Sequence, residues 1–329
     1  MPEPRQAGGL WFSHDSLVVL RAEDLTFRVP MSILAARSPV FQAMFEFPRP
    51  TSNADEMVDG DEVIEGSRVI RLHDSATEVE AFLRATLDTS YFMPPPSEVN
   101  FHDLLGILRL SHKYDVGYLY QRAISHLETI YPLELRNVGK IRPTIIDYDV
   151  VGVDMELKSI AVLHEVGATW LLPFAYHNIA EYSLVMLDRE LEIPSTLWNE
   201  YPAHRKETIL RLYKLQTEAT ERLYHALTPL SNCSYRDSCN LAKFKFLKRR
   251  EGSCDHRPLR QWTFNNRDDL EAALCTACLA QGQAQYNTVR TKIWSELPAN
   301  CRLENWDVLS QQRNAALSWW GIYFLHTLL

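Results

Sequence analysis

Residues 17–41 read LVVLRAEDLTFRVPMSILAARSPVF, and this stretch decides the fold of the N-terminal part of the chain. Two short apolar runs, over residues 17–20 and 25–29, flank a charged turn, which predicts a β-hairpin. Pro30 ends the second strand, because proline cannot donate a hydrogen bond to a sheet. Two short helices are predicted next, over residues 33–36 and 40–45, with Ser38 and Pro39 starting the second.

Further elements are predicted on the C-terminal side of this stretch. Residues 48–67 are polar, with six acidic residues against one arginine, which is typical of a solvated loop, and residues 69–72 return to strand. Helices are predicted over 76–87, 101–114 and 116–130, followed by a linker over 136–155 and helices over 157–166, 171–187 and about 204–227. The first three helices present apolar residues on one face: Val79, Phe82, Leu83, Leu87, Leu104, Leu105, Leu108, Tyr114, Leu119, Ala123, Leu127 and Ile130.

The composition limits the class of protein. The chain has 329 residues, of which 46% are hydrophobic and 23% charged, and these globular values exclude a wholly disordered or fibrous protein. It contains no run of 18 uncharged apolar residues, and its first residues lack the apolar segment of a secretory signal. We therefore expect a cytoplasmic or nuclear protein with reduced cysteines and no membrane partner.

The negative charge is concentrated in the N-terminal part. The net charge is -8, and residues 1–130 carry 11 Lys and Arg against 19 Asp and Glu, so the remainder is neutral. Because phosphate binding needs a basic surface, we do not expect this part to bind nucleic acid.

An ordered set of motifs between residues 14 and 130 resembles a BTB/POZ domain, in the form found in basidiomycete fungal proteins. The motifs are Ser16–Leu20, Phe27–Pro30, Ser32–Phe41, Met44–Phe45, Val69–Asp74, Phe82–Leu83 and Leu108–Val116. The resemblance implies a small sheet capped by a cluster of short helices, in a protein-interaction module without catalytic activity. It also implies protein partners: a second copy of the chain in a homodimer, or a cullin of a ubiquitin ligase.

The same resemblance suggests which residues form the interaction surface. They are Trp11, Phe12, Leu17, Ile33 and Leu34, on the first strands and the first helix. The chain departs from the family pattern at Pro30 and Met31, where many BTB domains carry a histidine and a basic residue. The charged pocket to which Asp15 would contribute therefore lacks its cation, and repressor-type corepressor binding is not expected.

The whole chain is predicted to be an α+β protein with three regions. A BTB/POZ-like domain spans residues 10–132, a mainly helical middle region spans 133–229, and a cysteine-containing region spans 230–329. The last region holds all six cysteines, at positions 233, 239, 254, 275, 278 and 301.

The cysteine spacing indicates a metal site. Cys275 and Cys278 form a C-x2-C pair, which can bind one zinc ion from a single turn when a second pair completes the tetrahedron. Cys233 with Cys239 and Cys254 with His256 are both candidate second pairs, while buried free thiols are the alternative without metal. The C-terminal layout also resembles the fungal family, and this resemblance favours structural zinc on Cys233, Cys239, Cys275 and Cys278.

Other signals point away from an enzyme. The chain lacks the G-x-x-x-x-G-K, G-x-G-x-x-G and G-x-S-x-G motifs, so no catalytic residue, cofactor-binding residue or small-molecule substrate is predicted. The apolar end, residues 315–329, is short for a membrane anchor and is predicted to be a packed helix.

A basic run at residues 243–250, KFKFLKRR, has two interpretations. It is either the solvated face of a helix that begins after Asn240, which we favour, or a nucleic-acid contact. The main functional prediction is a non-catalytic protein-interaction adaptor or scaffold. The alternative is a nuclear DNA-linked regulator that uses the basic run and a zinc-stabilised C-terminal region.

Overall fold

The predicted hairpin lies at the centre of a small sheet. The computed structural model describes residues 5–11, 17–46, 63–140, 144–146, 152–181, 201–225, 233–250, 258–261 and 273–326. Its strands are β1 (Arg5–Trp11), β2 (Leu17–Ala22), β3 (Leu25–Pro30), β4 (Val63–Ile64) and β5 (Ser67–Leu72), in the order β1-β3-β2-β5-β4. Strand β2 is antiparallel to β3 and parallel to β5, β1 is parallel to β3, and the two-residue β4 pairs antiparallel with β5.

Strand β2 is covered on both faces. Val18, Val19 and Leu20 are consecutive, so their side chains alternate between the two faces, and all three are buried. This burial explains why the strand is a continuous apolar run and does not alternate apolar with polar residues. Leu17 lies at the start of the strand opposite Pro30, where it is half-buried.

Five helices follow in the N-terminal part: α1 (Met31–Arg37), α2 (Pro39–Glu46), α3 (Ala76–Leu87), α4 (Phe101–Lys113) and α5 (Gly117–Ile130). The Ser38 hydroxyl accepts a hydrogen bond from the backbone N–H of Phe41 at 3.0 Å, as expected of a cap at the start of α2. The Asn100 side chain caps α4 by accepting from the N–H of His102 at 2.9 Å. All the predicted inward-facing residues of α3 to α5 are buried except Leu87, which is half-buried.

Helices α3 and α4 cross closely, and Gly106 makes the crossing possible. A Cβ atom at Gly106 would lie 3.2 Å from the Cα of Glu78 on α3, which is tighter than ordinary contact. The Phe41 and Tyr114 rings stack at 4.6 Å beside this crossing. The helices therefore share an apolar core with the loop that follows α4.

A buried ionic cluster ties β5 to α4. The Asp74 carboxylate, 4% exposed, accepts hydrogen bonds from Lys113 Nζ at 2.7 Å and from the Tyr114 hydroxyl at 2.6 Å. Arg109 lies 3.7 Å from the same carboxylate and also pairs with Glu78. Each acidic oxygen therefore has a donor, which is what a buried carboxylate requires.

The chain divides into two compact units. Unit 1 comprises Met1–Leu127, Pro143–Tyr148 and Leu317–Leu329, and unit 2 comprises Glu128–Arg142 and Asp149–Ala316. Unit 2 therefore takes in most of the predicted middle and cysteine-containing regions. The predicted linker over 136–155 includes a 3₁₀ turn at its start, Leu135–Asn137, and the first residues of a helix at its end.

The helices beyond residue 150 are α6 (Gly152–Glu165), α7 (Leu172–Ala180), α8 (Ala203–His225), α9 (Arg236–Arg250), α10 (Thr276–Asn300) and α11 (Trp306–His326). Helix α7 packs against α6, α8 and α10 within unit 2. The Trp294 and Trp306 rings stack at 4.5 Å with a 6° interplanar angle, and the Trp306 indole donates to the Trp294 carbonyl at 2.8 Å. This stack fixes the turn between α10 and α11.

The predicted terminal helix is present as far as His326, where α11 ends. Within unit 1, the Leu317 carbonyl accepts a hydrogen bond from Gln121 Nε2 at 2.9 Å. None of the helices in the described part of the chain is long and apolar enough to cross a membrane.

Candidate metal centre

The four predicted ligands come from the starts of two helices. Cys233 precedes α9 and Cys239 lies in the first turn of that helix. Cys275 is the N-cap residue of α10, with extended backbone angles (φ -67°, ψ 158°), and Cys278 is in its first turn. Because both pairs lie where a loop enters a helix, each can present two sulfurs to one point.

The sulfur atoms converge. Each of the four cysteines has its Sγ within 4.8 Å of the other three, and the Sγ atoms of Cys233 and Cys275 are 3.8 Å apart. A tetrahedron with metal–sulfur bonds of about 2.3 Å has sulfur–sulfur edges of about 3.8 Å. A disulfide would need about 2.05 Å, and all four cysteines are free thiols. The arrangement therefore fits four ligands around one metal ion.

An apolar shell surrounds the sulfurs. Cys239 and Cys278 are each 1% exposed, and Cys233 and Cys275 are half-buried. The shell consists of Phe246, Leu274 and Tyr286, with Ala242, Leu279 and Val289 at its edge. Thiolates in such surroundings are stable only when a cation or hydrogen bonds offset their charge.

Backbone N–H groups supply part of that offset. The Cys275 N–H donates to the sulfur of Cys239 at 3.3 Å. A hydrogen bond from the backbone N–H of Cys278 is the main reason that the pKa of Cys275 is lowered to about 7. Burial raises the pKa of Cys278 to about 12 and also raises that of Cys239. The buried thiols are therefore protonated at neutral pH unless a coordinated metal ion displaces the protons.

Lys243 supplies a cation beside the cluster. It lies four residues after Cys239 on α9, so both residues share one face of the helix. The lysine is only 5% exposed, and its positive charge partly counters the effect of burial on the pKa of Cys278. Four thiolates and a divalent ion carry a net charge of −2, which a buried ammonium group reduces.

The donor set limits which metal fits. Soft thiolate ligands in a tetrahedral arrangement suit zinc or a single iron ion. A two-iron cluster divides its four thiolates between two metal ions, which places the pairs further apart than a single ion does. Because every sulfur here is close to the other three, the site favours one ion. Four protein ligands leave no coordination position open to a substrate or water, which is typical of a structural site.

The other sequence-derived candidates for the metal site have different outcomes. Cys254 and His256 lie outside the described residues. Cys301 is 6% exposed and its sulfur contacts the Pro173 carbonyl at 4.0 Å, away from the cluster. The predicted clustering of Cys233, Cys239, Cys275 and Cys278 is thus confirmed, whereas the identity of the metal stays a prediction.

The structure corrects the prediction for the basic run. Helix α9 begins at Arg236, five residues earlier than predicted, and Lys243 is buried and not part of a solvated face. The Cys239–Lys243 spacing of one helical turn was the available signal, but basic residues in such a run are usually exposed. Phe244, Lys245 and Lys248 are exposed, as the prediction required.

The predicted interaction residues differ in their exposure to solvent. Ile33 is 40% exposed on α1, Leu17 is half-buried, and Leu34 is fully buried. Leu34 must therefore be corrected from a surface residue to a core residue. Consecutive residues of a helix point about 100° apart, so Leu34 can face the core while Ile33 faces outward. Trp11 is the last residue of strand β1. The side chain of Trp11 and the whole of Phe12 lie outside the described part of the chain.

No family model matches the chain, and no curated protein matches it.

Proposed function

We propose that this protein is a non-catalytic protein-interaction adaptor or scaffold whose C-terminal region is held together by a structural zinc ion. The observation that carries the zinc part of the proposal is the convergence of four sulfur atoms within 4.8 Å of one another. A closed set of four thiolates serves to stabilise a fold, since it leaves no coordination position for chemistry on a substrate.

The small N-terminal sheet and its helices support the interaction part of the proposal. A BTB/POZ-type domain consists of these elements, and such a domain associates with a second copy or with a partner such as a cullin. Ile33 is an apolar side chain left exposed on α1. A single exposed apolar residue is ordinary on a protein surface, so Ile33 is the position at which the proposal is tested and is not by itself evidence for it.

The zinc part of the proposal explains why the cysteine-containing segment folds. Cys239, Phe246, Leu274, Cys278 and Tyr286 make up its buried cluster, which is a small core. Metal binding supplies folding free energy to segments whose apolar core is too small to fold alone. We therefore expect α9 and the N-terminal turn of α10 to depend on the metal.

The DNA-linked alternative has weaker support. Lys243, the first residue of the basic run, is turned into the metal centre and cannot contact phosphate. Lys245 and Lys248 remain exposed. Among the described lysines of the run two are therefore available to phosphate, and each phosphate contact contributes through counterion release, so the loss of Lys243 weakens this alternative.

Affinity purification tests the interaction proposal. The full-length chain and its Ile33→Glu variant would be tagged, expressed in parallel and recovered from extracts with and without nuclease treatment, with partners identified by mass spectrometry. We expect the same protein partners, or a second copy of the chain, to be retained by the parent and lost from the variant. Retention of nucleic acid alone, removed by nuclease and by raised salt, would contradict the proposal.

A further inference from the structure

Helix α9 has two different faces. One face carries Cys239, Ala242 and Phe246 into the cluster around the metal centre, together with Lys243. The opposite face carries Leu241, Phe244, Lys245 and Lys248, at spacings of three, four and seven residues from Leu241. Side chains at these spacings lie next to one another along a helix.

The outer face combines apolar and positive groups. Leu241 is 53% exposed and Phe244 is 61% exposed, and Tyr235 just before the helix is 67% exposed. Eight large apolar side chains are exposed among the described residues. Tyr235, Leu241 and Phe244 are three of these eight, and they lie within ten consecutive positions. Lys245, Lys248 and Asp237 flank the apolar pair and are all exposed, so the described side chains of this face carry a net positive charge. We call Leu241, Phe244, Lys245 and Lys248 the outer face of α9.

We infer that the outer face of α9 is a docking surface for an acidic protein segment that also contributes apolar side chains. Leu241 and Phe244 form a neighbouring apolar pair that water solvates poorly, and the two lysines would pair with carboxylates beside it. Charge determines the kind of occupant: a basic or neutral apolar segment would leave the lysines without partners in a desolvated interface.

A nucleic acid fits this face less well. Base stacking requires aromatic rings, and Leu241 has none, although Phe244 does. Since Lys243 faces inward, only Lys245 and Lys248 of the described lysines on α9 can approach a phosphate.

The inference deepens the proposed function, because the metal centre would hold α9 in place while its outer face binds. The test is selection of random 16-residue peptides displayed on phage against the purified full-length chain. We expect enriched peptides with net negative charge and large apolar residues. Synthetic peptides from that pool should then bind Phe244→Ser and Lys245→Glu/Lys248→Glu variants at least about tenfold more weakly, measured by fluorescence anisotropy.

Leu210→Ser is the matched control, since Leu210 is a comparably exposed leucine (45%) on α8. It should bind the peptides as the parent does, and circular dichroism should show all variants folded. Failure to enrich any peptide, enrichment of peptides without acidic excess, or equal binding by Phe244→Ser overturns the inference. Binding of random 30-nucleotide single-stranded DNA in a Phe244-dependent manner, with no peptide bound, also overturns it in favour of nucleic acid.

Zinc content measured on the same samples separates the two claims. A chain with zinc but no selected peptide contradicts only the docking surface. A chain without zinc that binds acidic peptides through Phe244 contradicts only the metal centre.

Discussion

The Sγ atoms of Cys233 and Cys275 lie 3.8 Å apart although 42 residues separate the two cysteines. A metal ion bound by both closes a long loop and joins the start of α9 to the start of α10. Closing a loop of this length costs roughly 3 kcal/mol or more of chain entropy, and the metal–sulfur bonds offset that cost in the folded state. The metal ligands are therefore expected to control the stability of this segment.

Replacing one buried ligand should release the metal. Cys278→Ser is expected to hold less than about a tenth of an equivalent of zinc, because a serine hydroxyl is a poor zinc ligand and the remaining buried thiols regain protons. Limited proteolysis should then cleave between residues 233 and 275, while the N-terminal unit stays resistant. Mass spectrometry of the fragments locates the cleavage.

The matched control for this experiment is Cys301→Ser. Cys301 is equally a buried free cysteine but lies outside the sulfur cluster. We expect this variant to keep its zinc and to lose about 1–2 kcal/mol of stability, because a hydroxyl replaces a buried sulfur. Full zinc in Cys278→Ser, or its loss from Cys301→Ser, would contradict the ligand set.

Lys243 is expected to strengthen metal binding through its charge. Lys243→Gln removes the buried ammonium group beside Cys278, so the net negative charge of the metal-bound cluster is less well offset. We predict a zinc affinity about tenfold lower, which corresponds to about 1.4 kcal/mol. Competition with a chromogenic chelator measures this affinity. Lys245→Gln, on the exposed face of the same helix, should bind zinc with the affinity of the parent protein. Equal zinc affinities for the parent and both variants would rule out the role of Lys243.

The Asp74 cluster should make the stability of the protein acid-sensitive. Burial raises the pKa of Asp74, but hydrogen bonds from Lys113 and Tyr114 and the charges of Lys113 and Arg109 outweigh it, so the pKa is lowered from 3.8. The ionised carboxylate therefore contributes stability above about pH 4, and this contribution is lost as the pH falls through the folded-state pKa.

Asp74→Asn isolates that contribution. At pH 7 we expect it to lower the free energy of unfolding by about 2 kcal/mol, since it leaves buried donors with a weaker acceptor. The difference from the parent should shrink as the pH falls from about 4 through the lowered folded-state pKa, at which the carboxylate of the folded parent takes up a proton. Parallel urea titrations of metal-free parent and variant give both values, and Asp237→Asn, at an exposed position, should change stability by less than about 0.5 kcal/mol. A pH-independent difference would contradict the assignment.

Self-association is expected through α1. Sedimentation velocity of the full-length chain at about micromolar concentration should show a dimer, and Ile33→Glu should shift it to monomer, because a buried carboxylate at an interface is costly. Leu210→Glu introduces the same charge at another exposed position and should leave the dimer unchanged. A parent chain that remains monomeric at all concentrations would contradict this prediction.

Much of the N-terminal unit could be predicted from local patterns. The strands around residues 23–24 and the helices α1 to α5 follow from apolar spacing and from proline and serine positions, and their inward faces are those predicted. Leu34 was the exception. A helix of seven residues has fewer than two full turns, which is too short for apolar spacing to define its buried face. The sequence alone therefore could not show that Leu34 is buried and Ile33 exposed.

The candidate site was predictable in its ligands but not in its environment. The C-x2-C pair carries a local signal, and Cys233 with Cys239 followed from the resemblance. The signal for Lys243, its spacing of one helical turn from Cys239, is weaker than the opposing rule that a lysine in a basic run is usually solvated, so its burial beside Cys278 could not be predicted. The N–H donors to the sulfurs likewise depend on the extended backbone of Cys275.

The metal content of the full-length protein tests the central claim most directly. Protein purified without added zinc or chelator would be measured by inductively coupled plasma mass spectrometry, and its metal environment by X-ray absorption. We predict about one equivalent of zinc with four sulfur neighbours at about 2.3 Å. Less than about a tenth of an equivalent of metal, or a bound ion with nitrogen or oxygen neighbours, would contradict it.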